Sequence, residues 1–223
     1  MPLFEVVELF VDETAREGAE QMAVDEALLD GAEHPILRVY RWPRESVSFG
    51  YSQSLSKVRE RYPLFPLVRR WTAGGIVEHG RDLTFALIVP SREPLAKEHI
   101  KQTYRLIHLR IMSVLRELGY SARLAGSSET VNGPECFSAP VLHDVIDHRL
   151  RKLCGGAQRR TRQGILHQGS IQNVDLPPDF AIRLLGPVAT VTRKFSLSEA
   201  SLAAAKRLGA GKYGSKAWLE RIA

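Results

Sequence analysis

Apolar and polar residues recur along this chain with the periods of both helices and strands. The helical period is clearest from Lys97 to Leu118, where apolar residues return every three or four positions and predict an amphipathic helix. Residues 18–31 are strong helix formers that end at a glycine, so they predict another helix. After Ser198, a candidate N-cap, two helical segments meet near residues 209–211. The pattern therefore places helices near the start, in the middle and at the end.

Short runs of β-branched and aromatic residues predict the strands. These runs cover residues 36–42, 46–51, 65–71, 83–89, 141–146 and 164–172. The first two predict a hairpin or adjacent strands, and the next two predict the central strands of a sheet. Strands dominate the first two thirds of the chain without alternating strictly with helices. This order predicts an α+β fold with a helix-flanked, mixed and largely antiparallel β-sheet.

The composition predicts one compact soluble domain. Hydrophobic residues make up 44% of the 223 residues, which is enough to bury a core over residues 1–223. The start of the chain lacks the pattern of a secretion signal, and no apolar run approaches the length of a membrane span. Cys136 and Cys154 are too few for a disulfide framework, so we predict reduced thiols. We expect a cytoplasmic protein.

Positive charge is concentrated in one part of the chain. Lys and Arg outnumber Asp and Glu by 31 to 25, a formal net charge of +6, which favours an acidic partner. Residues 148–162 carry six Lys or Arg residues and no carboxylate, and they bracket Gly155-Gly156. A solvated basic face explains such a run equally well. The Gly-Gly pair, which we interpret as a turn, favours a functional role.

Two residues near this run are candidates for catalysis. A thiol becomes a nucleophile when positive neighbours favour the thiolate, and Cys136 precedes the basic segment. Lys152 lies just before the Gly-Gly pair, where an ammonium group can polarise an acyl carbonyl or bind an anion. The alternatives are a buried, inert cysteine and an exposed lysine. Cys154, next to Leu153 and Gly155, is better explained by packing.

A second glycine-containing segment is a candidate for anion binding. Arg70-Trp71-Thr72-Ala73-Gly74-Gly75 joins a strand to a turn whose backbone N–H groups can hold an anionic group. The spacing differs from P-loop and dinucleotide motifs, and an ordinary turn remains the alternative. His79 and His167 are candidate ligands or proton carriers, although single histidines in strands are more often structural. No His/Cys cluster has zinc spacing, so we predict no metal site.

Taken together and in order, these segments resemble the biotin/lipoate protein ligase and octanoyltransferase superfamily. The segments that carry the resemblance are Gln21–Leu29, Leu37–Trp42, Ser48–Gln53, Arg69–His79 with Asp82–Phe85, and Arg151–Arg159. Cys136-Phe137-Ser138-Ala139-Pro140 is similar to the motif of the cysteine-dependent, LipM-like octanoyltransferase branch. The resemblance implies the α+β catalytic-domain fold of that superfamily. It also implies a chain without the accessory C-terminal domain of many lipoate ligases.

For this branch, the resemblance implies octanoyl transfer without a cofactor. Cys136 would accept octanoyl, or lipoyl, from acyl carrier protein and pass it to a lysine of a lipoyl domain or glycine-cleavage H protein. Lys152 would orient and polarise the acyl carbonyl. The implied substrate-binding residues are Arg70, Thr72, Gly74, Gly75, His79, Gly155, Gly156, Ala157, Gln158, His167, Gly169 and Ser170.

Two alternatives belong to other functional classes. A lipoate–protein ligase would use ATP and Mg to form lipoyl-adenylate, would need Lys152 but not a cysteine, and could require a partner chain. A non-catalytic protein of this fold would bind acyl-proteins or nucleic acid. The basic segment lacks interleaved aromatic residues and any nucleic-acid motif, so we expect no nucleic-acid partner and no membrane partner.

Overall fold

A computed structural model of the chain shows two β-sheets flanked by helices, and it describes residues 2–129 and 140–222. Within these ranges the α-helices are α1 Gly18–Gly31, α2 Leu55–Arg61, α3 Pro94–Lys97, α4 Ile100–Glu117, α5 Phe180–Leu185, α6 Glu199–Leu208 and α7 Lys216–Leu219. A 3₁₀ turn covers Ser127–Glu129, and a π-helical turn over Gly209–Tyr213 joins α6 to the last helix.

The strands of the same ranges begin near the N-terminus and continue past α5. They are β1 Phe4–Asp12, β2 Ile36–Tyr40, β3 Ser46–Phe49, β4 Leu67–Arg69, β5 Ile76–His79, β6 Leu83–Pro90, β7 Arg123–Leu124, β8 Val145–Ile146, β9 Lys152–Arg160, β10 Gly164–Ile171 and β11 Ala189–Lys194.

The strands form one large and one small sheet. The large sheet has the order β11-β1-β2-β6-β10-β9-β8-β7, and the small sheet has the order β4-β3-β5. In the large sheet β1 pairs in parallel with β11 and β2, and the remaining neighbours are antiparallel. The predicted helix-flanked, mixed and largely antiparallel sheet is confirmed.

The large sheet is covered by helices on both faces, as the side chains of β6 show. Phe85, Leu87 and Val89 belong to the hydrophobic core shared with α4 and α5. Ala86 and Ile88 belong to the core shared with α1 and α6. Neighbouring residues of a strand point to opposite faces, so a strand buried on both sides is apolar throughout. This explains the long apolar run that predicted β6.

The predicted helices agree closely with the structure. The helix predicted over 18–31 is α1, and the amphipathic helix predicted from Lys97 to Leu118 is α4. The C-terminal segment is helical in pieces that meet at Gly209–Tyr213, as predicted. In the part of the chain that the structure describes, none of the helices combines the length and the apolar character needed to cross a bilayer.

Two strand predictions and one turn prediction are wrong. The segments 36–42 and 46–51 do not pair, because β2 joins the large sheet and β3 joins the small one. The run 65–71 contributes only the three residues of β4, at the edge of the small sheet. Gly155-Gly156 is not a turn but lies inside β9. These glycines are required there by side chains that pack against the strand, as described below.

Candidate active site

A cavity lies where the two sheets approach each other. It is open on one side, and the space between its walls amounts to about 430 Å³ when the open solvent at its mouth is counted. Its lining is mostly apolar, with a few polar groups, which is the usual character of a small-molecule site. The lining residues are Met22, Tyr40, Trp42, Ser48, Arg70, Val77, His79, Thr84, Lys152, Gly155, Gly156, Ala157, Gln168, Gly169 and Ser170.

The buried lysine of the cavity is held by a carboxylate. Lys152 begins β9 and is 3% exposed, and its Nζ lies 2.6 Å from Oδ2 of the fully buried Asp144. The hydroxyl of Tyr104, on α4, donates to the other carboxylate oxygen at 2.6 Å. Burial raises the pKa of Asp144 and holds the pKa of the Tyr104 hydroxyl well above its usual value. Tyr104 is therefore a neutral donor that orients the partner of Lys152.

The two glycines of β9 leave room for side chains on opposite faces of the sheet. A Cβ on Gly155 would lie 2.0 Å from Cε and 2.5 Å from Nζ of Lys152. A Cβ on Gly156 would lie 2.5 Å from Nε2 of His167, which is on the other face. The absence of a side chain at Gly155 therefore lets the lysine fold back over its own strand. This is the physical reason for a Gly-Gly pair within a strand.

A second polar group of the cavity is built around His79, at the end of β5. Nε2 of His79 lies 2.7 Å from Oγ of Ser48, and Nδ1 lies 2.8 Å from Oδ2 of Asp82. Arg70 donates to the same Ser48 oxygen at 2.7 Å. The indole of Trp42 stacks on the imidazole, with ring centroids 4.1 Å apart. The imidazole is thus fixed in orientation by contacts with its ring edge and its face.

Asp82 is the carboxylate that holds this group together. Its Oδ2 atom accepts hydrogen bonds from Thr84 at 2.7 Å and from Ser170 at 2.6 Å, in addition to its contact with His79. Burial alone would raise the pKa of Asp82, but the charge of His79 and these hydrogen bonds lower it to about 2. Asp82 is therefore ionised at neutral pH and acts only as an acceptor.

The loop between β4 and β5 is anchored from behind the cavity. The hydroxyl of Thr72 donates to Oε1 of Gln168 at 2.7 Å, and Nε2 of Gln168 donates to Oδ2 of Asp25 at 2.7 Å. Asp25 in turn binds Nη1 of Arg38 at 2.6 Å, so a buried ion pair beneath α1 supports the loop. At Gly74 the backbone has φ +90°, a conformation that favours glycine.

Most of the predicted site residues meet at this cavity. Those that line it are Arg70, His79, Lys152, Gly155, Gly156, Ala157, Gly169 and Ser170. Thr72, Gly74 and Gly75 belong to the supporting loop, and the carbonyl of Gly75 accepts from Arg70 Nη2 at 2.8 Å. The sequence placed no partner beside Lys152, and neither Asp144 nor Tyr104 was predicted. Sequence spacing could not connect them with Lys152, because Asp144 directly precedes β8, Tyr104 lies on α4 and Lys152 begins β9.

Two predicted substrate-binding residues lie on the opposite face of the large sheet. Gln158 accepts from the hydroxyl of Thr103, on α4, at 3.1 Å, and it contacts Nδ1 of His167 at 3.1 Å. The ring of His167 stacks on Phe85 and contacts Tyr104. Burial holds the pKa of His167 well below its usual value, so the imidazole is neutral. Their strand positions alternate with those of Ala157, Gln168 and Ser170, which line the cavity, and this explains the separation.

The two cysteines differ in what the structure shows. Cys136, the predicted nucleophile, lies outside the described residues. Cys154 is completely buried beside Lys152, and burial raises the pKa of its thiol well above the usual value. A thiol with a raised pKa and no exposure is unreactive, which agrees with the packing role predicted for it.

Comparisons with known proteins identify the family. The family model described as "Lipoyl protein ligase A/B catalytic domain" matches residues 17–194, which contain every element of the cavity. The chain belongs to the lipoyl protein ligase A/B family. The predicted superfamily is therefore confirmed.

Curated relatives in this family are octanoyltransferases. The chain is 32% identical over 185 residues to octanoyltransferase LipM of Macrococcus caseolyticus, covering 75% of this chain and 67% of the relative. It is 33% identical over 187 residues to octanoyltransferase LipM of Bacillus subtilis, covering 76% of this chain and 66% of the relative. The chain thus spans about two thirds of the length of these relatives. The similarity confirms the predicted LipM-like branch.

Solved structures of family members share the fold. A lipoate-protein ligase A bound with ATP superimposes with a TM-score of 0.77 at 22% identity, covering 97% of this chain and 99% of that structure. A bi-partite lipoate protein ligase from Thermoplasma acidophilum superimposes with a TM-score of 0.76 at 22% identity, covering 99% and 98%. At this identity the similarity shows the common architecture.

Proposed function

We propose that this protein transfers octanoyl groups from acyl carrier protein to a lysine of a lipoyl domain or glycine-cleavage H protein. The reaction passes through a thioester on Cys136 and needs no cofactor. The observation that carries the proposal is the buried Lys152–Asp144 pair at an apolar cavity, in a chain that resembles octanoyltransferases along three quarters of its length. Cys136 precedes this pair by a short segment of sequence.

Lys152 supplies the positive charge that acyl transfer requires. When a thiolate attacks a thioester carbonyl, negative charge develops on the carbonyl oxygen. A buried cation stabilises that charge more strongly than a cation in water does. Asp144 and Tyr104 hold the ammonium group in place, so little reorganisation is needed as the charge develops.

The transfer takes place in two steps. The Cys136 sulfur bonds to the octanoyl carbon, the carrier thiolate leaves, and it takes up the proton lost from Cys136. The acceptor lysine amine then bonds to the same carbon, the Cys136 sulfur leaves, and a proton moves from the amine to that sulfur. Lys152 faces the developing oxyanion in both steps.

The apolar part of the cavity offers favourable contacts to a saturated acyl chain. Met22, Tyr40, Trp42 and Val77 contribute its apolar surface. Each buried methylene of a bound chain contributes about 0.8 kcal/mol, so several together give a large share of the binding free energy.

Val141 is attached to the catalytic pair. The backbone N–H of Val141 donates to Oδ2 of Asp144 at 2.8 Å, the same oxygen that binds Lys152. Val141 is the fifth residue after Cys136, and an extended chain of that length spans at most roughly 17 Å.

The partners are proposed from charge. Arg149 and Arg162 are exposed near the two ends of β9, where they are available to an acidic protein surface, and exposed Arg151 also pairs with Asp147. The structure of the Thermoplasma acidophilum ligase is described together with an E2 lipoyl domain. For the present chain we infer an acidic carrier protein as donor and a lipoyl domain as acceptor, both attracted by long-range electrostatics.

Intact-mass measurement with octanoyl-acyl carrier protein tests this function. We expect an octanoyl adduct that peptide mapping places on Cys136, without ATP, in the wild-type protein and in Cys154→Ser, the matched control; Cys136→Ser should carry none at residue 136. Addition of a lipoyl domain should then transfer the group to its lysine. Absence of octanoyl from Cys136 in the wild-type protein would refute the proposal. Acceptor modification that requires lipoate and ATP would instead indicate a ligase.

A further inference from the structure

At the cavity, a serine, a histidine and an aspartate are in contact one after another, as in the catalytic triad of serine hydrolases. Ser48 Oγ is 2.7 Å from His79 Nε2, and His79 Nδ1 is 2.8 Å from Asp82 Oδ2. A nucleophile within hydrogen-bond reach of a base, with that base oriented by a carboxylate, is recognised by geometry and not by sequence order. The octanoyl-transfer scheme described above does not use this group.

The hydrogen-bond donors determine which way the protons point. Ionised Asp82 can only accept, so in the neutral form of His79 Nδ1 carries the hydrogen and Nε2 is the acceptor. The guanidinium of Arg70 can only donate, so Ser48 Oγ accepts from it and directs its own hydrogen to Nε2. The serine is thus oriented to lose its proton to the imidazole.

The surroundings of Ser48 also suit a tetrahedral intermediate. Arg70 places a cation 2.7 Å from the Ser48 oxygen and favours its alkoxide form. Ser170, which donates to Asp82 at 2.6 Å, lies opposite Gly155 in the β9–β10 register. The Lys152 ammonium folds over Gly155, so a second cation lies on the same side of the sheet. Positive charge at the site of a developing oxyanion is what acyl transfer requires.

We propose that Ser48 is a second acyl acceptor in this cavity and gives the protein a hydrolytic activity towards octanoyl esters and thioesters. The Ser48 oxygen bonds to the acyl carbon, the bond from that carbon to the leaving sulfur or oxygen breaks, and the Ser48 proton passes through His79 Nε2 to the leaving group. Water then attacks the seryl ester, with His79 taking its proton. The same proton returns to Ser48, and octanoic acid is released and loses its remaining proton to the solvent.

This inference rests on the proposed function in one respect only, since it requires the cavity to admit an octanoyl chain. It does not require Cys136, a carrier protein or an acceptor domain. The two proposals therefore have separate readouts, and either can fail without the other.

The experiment uses the full chain carrying Cys136→Ser, so that the thiol route is absent. A fluorophosphonate with an octyl chain should add to Ser48, seen as one adduct by intact mass and located by peptide mapping. Hydrolysis of p-nitrophenyl octanoate should fall at least about 100-fold when His79→Asn is added, because a general base contributes 10²–10⁴-fold. Ser48→Ala should abolish both signals.

Ser46→Ala is the matched control. Ser46 is a buried serine on the same strand, and its hydroxyl donates to the carbonyl of Arg44 at 3.2 Å. We expect this variant to keep both signals within about twofold. Thermal melting of each variant reports whether it folds.

Absence of an adduct on Ser48 in the folded Cys136→Ser protein would overturn the inference, without relying on any Ser48 variant. An adduct on Ser48 that forms equally well in His79→Asn would overturn it too. Octanoyl on Cys136 of the wild-type protein, with no label on Ser48, would support octanoyl transfer and leave the Ser48 group a structural network.

Discussion

Gly155→Ala tests the geometry of the catalytic lysine with a single methyl group. The added Cβ would lie 2.0 Å from Cε and 2.5 Å from Nζ of Lys152, and 3.1 Å from Oδ1 of Asp144. Carbon atoms pack at about 3.5–4.0 Å, so Cε must move by roughly 1.5 Å. That movement breaks the 2.6 Å contact between Lys152 and Asp144 or displaces both side chains.

Two measurable effects follow from this displacement. Overpacking a buried site costs about 1–3 kcal/mol, so the free energy of unfolding should fall by that amount. Misplacing a catalytic group by about 1 Å costs on the order of 100-fold in rate, so octanoyl transfer should fall by at least that factor. The loss of activity should therefore be much larger than the loss of folded protein.

The assay follows octanoyl transfer to a lipoyl domain by intact mass, with urea unfolding measured on the same samples. Gly31→Ala is a neutral control, because nothing lies within 4 Å of a Cβ at that position. Gly156→Ala adds a methyl group against His167, on the opposite face, and should lower stability with a smaller effect on rate. Near wild-type transfer by Gly155→Ala, with Lys152→Met inactive, would refute the steric argument.

Three further predictions concern buried charges. Asp144→Asn removes the carboxylate partner of the Lys152 ammonium, so we expect about 3 kcal/mol lower stability by urea unfolding and at least tenfold slower transfer. The folded-state pKa of Asp82, about 2, lies below the ordinary 3.8, so its ionised form contributes about 2 kcal/mol above pH 5 that is lost as the pH falls from about 4 to 2. Accordingly, the difference in unfolding free energy between wild type and Asp82→Asn should shrink by that amount between pH 5 and pH 2. Arg38→Met leaves buried Asp25 without its guanidinium and Asp12 with Arg16 alone, and should cost about 3–5 kcal/mol, measured by thermal and urea unfolding.

Local sequence patterns were sufficient for the elements whose side chains follow one period. The spacing of apolar residues located α4, and the continuous apolar run located β6. β1 and β11 escaped prediction. Charged residues interrupt β1, and β11 is exposed along nearly all its length, so neither shows a clear apolar pattern. Strand formation there depends on the parallel pairing between the two segments, which are far apart in the chain.

The sequence by itself also determined which reactive side chains line the cavity. The order of the arginine-glycine segment and the lysine segment predicted Arg70, His79 and Lys152, and all three line it. A motif consists of residue types and their spacing along the chain, and both can be read without a structure. For the same reason, Cys136 could be predicted as the nucleophile from its motif alone.

Only the tertiary structure decided which partners these residues have. Asp144 meets Lys152 because β8 pairs with β9 through a register irregularity, and Ser48 meets His79 because β3 pairs with β5. Strand register also sends Gln158 to the face opposite the cavity. Pairing between distant segments is set by the packing of the whole sheet, so spacing along the chain could predict the residues but not their contacts.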